Sequence, residues 1–147
     1  MKKLQIITNT LLLILALGSF APQFAQDAST APKELDQERH SITIGLVRTI
    51  NIAEVSERYS YGSFASWETL LAHQQKYLNH WITQSYSRDP KVHFGSTPEI
   101  LPGWNLRLIV PSDGTGWVVV LEDTNDKTGY AALSDESGII RECKYLE

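Results

Sequence analysis

Groups able to do acid–base or metal chemistry are few and scattered in this sequence. They are four histidines (His40, His73, His80 and His93), one cysteine (Cys143), and acids that thicken between Glu122 and Glu136. His73 and His80 lie seven apart, which on a helix puts them on one face but about 10.5 Å apart along the axis. Two zinc ligands from one helix are expected at i and i+4, and no His, Cys, Asp or Glu stands four residues from either. Helix-surface histidines are therefore favoured over a zinc site gathered from distant segments. Glu122, Asp123, Asp126, Asp135 and Glu136 fall in expected turns and strand ends, so solvated turn acids are favoured over a glycosidase-like pair. Asp123-Thr-Asn-Asp-Lys-Thr-Gly129 offers oxygens at Asp123, Asn125 and Asp126, an outline of a calcium loop. It has Lys127 where a third oxygen ligand would stand and Ser134 where the closing Glu would be, so calcium is the weaker alternative to a plain β-turn. No Gly-x-Ser-x-Gly, phosphate-binding glycine loop or Cys/His nucleophile motif is present, and the expectation is a non-enzyme without a cofactor.

The elements that would position these groups divide the chain in two. From Leu35 to Arg58 the pattern is mixed: Ile42, Ile44 and Leu46 alternate as in a strand, whereas Leu46, Val47, Ile50, Ala53 and Glu54 keep helical spacing. A helix ending at Gly62 is favoured. Ser66 is placed to cap a second helix, with Trp67, Leu70, Leu71, Leu78, Trp81 and Ile82 on one side, ending by Arg88 because Pro90 restricts Asp89. Beyond Gly103 the pattern turns to strands: 104–110, 117–121, 129–133 and a short fourth at 139–141, joined by turns too tight for anything but antiparallel pairing. Helices first and strands later predict an α+β domain, an N-terminal helix packed on a roughly four-stranded antiparallel sheet. Trp67, Trp81, Trp104 and Trp117 are assigned to the core; an exposed pair with Tyr77 or Tyr86 would instead make a protein- or carbohydrate-binding surface.

The start reads as an export signal. Lys2 and Lys3 precede the apolar run Leu11–Leu17, and small residues lead to an expected cleavage after Ala25. The run is shorter than the roughly 20 apolar residues of a spanning helix, so no stable membrane span is expected after cleavage; an uncleaved anchor is the alternative. Residues 26–34 read as a flexible leader and 35–147 as the folded domain. The chain carries 13 basic and 17 acidic residues; losing Lys2 and Lys3 leaves 11 against 17, a net −6, which argues against nucleic acid as a partner. A lone Cys143 cannot make an internal disulfide, so the expectation is a monomer or a Cys143-linked dimer.

Four segments taken in order carry a family resemblance: Gly45-Leu-Val-Arg-Thr-Ile-Asn-Ile-Ala-Glu-Val55, Tyr61-Gly62, Leu101-Pro-Gly-Trp104 and Ser134-Asp-Glu-Ser-Gly-Ile-Ile-Arg141. Between Ser41 and Arg141 the chain resembles the globular domain of type IV pilins and type II secretion pseudopilins, with 64–95 as a helical insert between helix and sheet. The usual prepilin leader, Gly-Phe cleavage site and junction glutamate of the polymerisation helix have no counterpart in the first 33 residues. The resemblance implies an exported pilin-like domain, periplasmic or extracellular, that acts through protein–protein contacts with secretion or pilus components. It also implies sheet-end loops that bind calcium in some members. A soluble ligand- or carbohydrate-binding module using the aromatic insert is the alternative.

Overall fold

A computed structural model describes residues 30–144 of the chain, with side chains from residue 35. The expected signal, its cleavage after Ala25, residues 26–29 of the expected leader and the last three residues lie outside the described residues. Helix α1 (Thr30–Tyr61) begins within the stretch read as a leader, five residues ahead of Leu35. Thr43, Leu46, Val47, Ile50, Ala53, Glu54 and Glu57 are buried on one side of it, the 3–4 spacing of a single helical face. Thr43 and Thr49 donate their hydroxyls to the carbonyls of Arg39 and Gly45, so these β-branched residues keep their polar groups satisfied within the helix. The helix stops where expected: Gly62 turns left-handed at φ +85° and donates its N–H to the Arg58 carbonyl.

The helical insert differs in detail from the single helix expected over 66–88. Ser66 caps α2 (Trp67–His73) by accepting the Thr69 N–H, but the run breaks at Gln74 and resumes as α3 (Gln75–Trp81). The break falls where His73 and Gln74 both reach back to Glu57 on α1, so a tertiary contact overrides the local pattern. A π-helical turn, Ile82–Tyr86, closes the insert with the Ser87 N–H on the Ile82 carbonyl. The apolar stripe is as expected: Trp67, Leu70, Leu78 and Ile82 are buried, with Phe94 set edge-on against Trp67.

Five strands follow, one more than expected. The addition is β1 (Glu99–Leu101), three residues ahead of the Pro102-Gly103 turn and too short to show an alternating pattern. It pairs with β2 (Trp104–Ile109), which pairs in turn with β3 (Val118–Asp123), β4 (Tyr130–Asp135) and β5 (Arg141–Lys144). All neighbours are antiparallel and the spatial order is the chain order. The last strand also shifts: Ile139 and Ile140, read as strand, form the approach to β5, and the strand itself is the charged Arg-Glu-Cys-Lys. An apolar pair on a rim looks the same in sequence as one in a ladder.

Helix α1 crosses the inner face of this sheet and is pinned along its length. Trp104 donates its indole N–H to Thr43 at 3.0 Å, and Asn51 donates to Ser134 at 3.0 Å. Along the same face Leu46, Val47, Ile50 and Ala53 share one core with Leu106, Val119, Leu121 and Ala132. The observed class is α+β, helices with an antiparallel sheet.

A candidate binding groove on the outer face of the long helix

Among the described residues nothing covers the face of α1 turned away from the sheet. Gln37, Ser41, Ile44, Arg48, Ile52 and Val55 follow one another at steps of three and four, so they form one outward stripe about 27 Å long. Tyr77, Trp81 and Ser85 of the insert rise on one side of the stripe; Gly138, Ile140 and Glu142 rise on the other. The result is a groove with a helix as its floor. Two adjoining basins of about 600 and 740 Å³ share Ile44, Arg48, Ile52 and Glu142.

Local sequence explains the walls. A Cβ at Gly45 would lie 3.3 Å from Trp81 Cζ2, so the glycine admits the indole close against the helix. Gly138 turns at φ +71°, held by its N–H on the Asp135 carbonyl, and delivers Ile140 to the opposite rim. The apolar content is substantial for an open surface: Ile52 is 49 % exposed and Val55 60 %. Arg48 forms no ion pair among the described residues, and Glu142 Oε2 accepts the hydroxyl of Tyr130 at 2.9 Å. Burial, reinforced by Glu142, raises the Tyr130 hydroxyl far above its ordinary titration, so it remains a donor. Burial also raises Tyr77 and Tyr86. Such a groove offers apolar contact, the Arg48 cation, the Glu142 carboxylate and the polar groups of His40, Ser41 and Ser85.

Of the residues singled out for chemistry only His40 lines the groove, and it and the others are largely committed to the fold. Asp123 is fully buried and accepts from Arg39 through Nε at 2.6 Å and through Nη2, while that guanidinium sits 4.3 Å above the Trp104 ring. Asn125 donates its N–H to Asp123 Oδ1 at 2.9 Å. Asp126 meets His40 Nε2 at 3.0 Å and accepts from both the hydroxyl and the N–H of Thr128 at 2.6 Å. The Thr128 hydroxyl is the largest of the causes that hold the Asp126 carboxyl down at about 2. The carboxylates of Asp123 and Asp126 are thus turned to Arg39, His40 and Thr128, and Asn125 meets Asp123 through its backbone N–H. They anchor the start of α1 to the β3–β4 loop. Among the described residues no group of three or more His, Cys, Asp or Glu could hold a metal ion.

His40 stacks on Tyr130 with ring centres 3.6 Å apart, His73 bonds Glu57, and His80 and His93 lie exposed. His73 and His80 do share a face, beside Lys76 and Tyr77. Asp135 caps its own turn through Ser137 and meets Arg141, and Glu136 points to solvent, so the acids of this end are not gathered into a pair. Trp67, Trp104 and Trp117 are core residues as expected, whereas Trp81 is half-buried at the groove. Cys143 lies on the exposed strand β5 with its thiol on the Ala131 carbonyl.

Comparison with protein-family models, curated proteins and solved structures finds no match. Sequence reading placed Glu54 in the helical spacing of α1 without giving it a chemical role, and it passed over Glu57 one turn on; burial raises Glu54 to about 7. The signal was present, since Glu54 sits within the apolar spacing of α1, where an acid must be either paired or neutral.

Proposed function

We propose that this chain is a non-enzymatic, exported, pilin-like domain that works by protein contact in the periplasm or medium, with secretion or pilus components as its partners. The observation that carries this reading is the open groove along α1, long enough for a peptide or helix and lined by Ile44, Ile52, Val55 and Ile140. A long first helix followed by an antiparallel sheet is also compatible with a pilin-like arrangement. No helix among the described residues is long and apolar enough to cross a membrane. A second reading, a soluble ligand- or carbohydrate-binding module, is favoured by one feature: Tyr77 and Trp81 of the insert wall the same groove.

Photo-crosslinking in the cells that make the protein separates the two. A benzophenone side chain placed at Ile52 or Val55 is expected to trap a secretion or pilus component, and one placed at Val118 on another face of the sheet is not. Crosslinks that are equal at all three positions, or absent from the groove, sink the protein-contact reading. Tryptophan emission that responds to saccharides and is lost in Trp81→Ala would support the second.

A further inference from the structure

The joint between α1 and α2 holds two carboxylates that the groove does not use. Glu54 and Glu57 stand one turn apart on α1, 0 % and 2 % exposed. Glu57 is fully engaged: Oε1 meets Nδ1 of His73 at 2.7 Å and Oε2 accepts the Gln74 amide at 3.2 Å. Glu54 is not. Its Oε2 accepts the Ala65 N–H at 3.1 Å, while Oε1 is enclosed without a partner. No cation among the described residues pairs with it: Arg58, four residues on, lies 4.8 Å over the Phe64 ring and donates to the Thr115 carbonyl. An ionised carboxylate with one donor, no counter-charge and a second carboxylate a turn away is costly to keep buried; the neutral acid is much less so.

We propose that Glu54 is a proton switch in this joint: as a neutral carboxylic acid it holds α2 closed against α1, and on losing its proton it loosens the Phe64–Ser66 link and the seat of α2. The groups facing it are Glu57 on its own helix, the Ala65 backbone of the link, and His73 of α2 acting through Glu57. Burial raises Glu54 to about 7; the Ala65 N–H opposes this and Glu57 adds to it. The sign follows from linkage: a carboxyl raised above its unfolded value favours the closed joint fully below that value, and the advantage is lost as pH rises through about 7.

The test is NMR of the full chain from about pH 5 to about pH 9, following the Glu54 carboxyl carbon and the Ala65 amide proton. Both are expected to titrate together near 7. The opening equilibrium of α2, read from amide exchange after correction for intrinsic base catalysis, is expected to rise by up to about tenfold per pH unit as pH climbs toward that midpoint and to level off above it. Glu54→Gln should abolish the step at Ala65, Glu57→Gln should lower its midpoint, and His73→Asn should leave it in place. A Glu54 carbon titrating near about 4.3, the ordinary value, overturns the proposal even if Glu54→Gln fails to fold. So does a step that survives Glu54→Gln.

Discussion

Arg39 and Asp123 illustrate how single residues hold this protein. Asp123 is fully enclosed, takes two bonds from one guanidinium, and lends its remaining acceptor capacity to the Asn125 N–H. Arg39 in turn lies flat on Trp104, so its charge is offset by the carboxylate on one side and the ring on the other. Breaking such a pair leaves an uncompensated charge that is four-fifths buried. Asp123→Asn should therefore cost about 3 kcal/mol in urea unfolding, with little change in the slope of the transition. The neighbouring Gly103 belongs to the same anchor. It turns at φ +87°, and a Cβ there would lie 2.2 Å from Asn125 Nδ2.

At the scale of elements, the fit of the insert on α1 depends on a missing side chain. Gly45 receives Trp81, and Gly45→Leu would drive apart two surfaces already in van der Waals contact. Overpacking costs about 1–3 kcal/mol, and replacing a mid-helix glycine returns somewhat less than 1. Gly45→Leu should therefore destabilise by about 1–2 kcal/mol, whereas Gly45→Ala should stay within about 1; urea unfolding of the two variants checks the difference. The same elements show what the sequence disclosed. Alternation in 104–109, the dense Val118–Leu121 run, the Gly62 stop and the Ser66 cap are local features, and local features were readable. The break at Gln74 arises from Glu57, seventeen residues away, and no local pattern carries it. Strand β1 is too short for a period to register, and β5 is a charged strand whose pairing comes from the turn before it. The groove was legible only in part: Trp81 and Tyr77 stood out as aromatics, but the outward stripe of α1 becomes a floor only when both walls are in place.

For the whole molecule, stability rests on one continuous core joining helix, insert and sheet. The single cysteine leaves no internal disulfide to contribute, and the carboxylates of Asp123 and Asp126 already have protein donors. The melting temperature should therefore be unmoved by millimolar calcium or by reductant. A rise with calcium would show that the β3–β4 loop rearranges to release those donors.

The pins between α1 and the sheet join residues 61 to 84 positions apart: Thr43 to Trp104, Asn51 to Ser134, Arg39 to Asp123. Each strand, by contrast, pairs with the one just made. In the order of synthesis the helix is made first and covered last. At roughly 5–20 residues per second, Leu46, Val47 and Ile50 would emerge several seconds before the strands that bury them. During that interval the helix has two apolar sides rather than one, and a chaperone or translocation machinery that grips nascent apolar segments would meet this chain at α1.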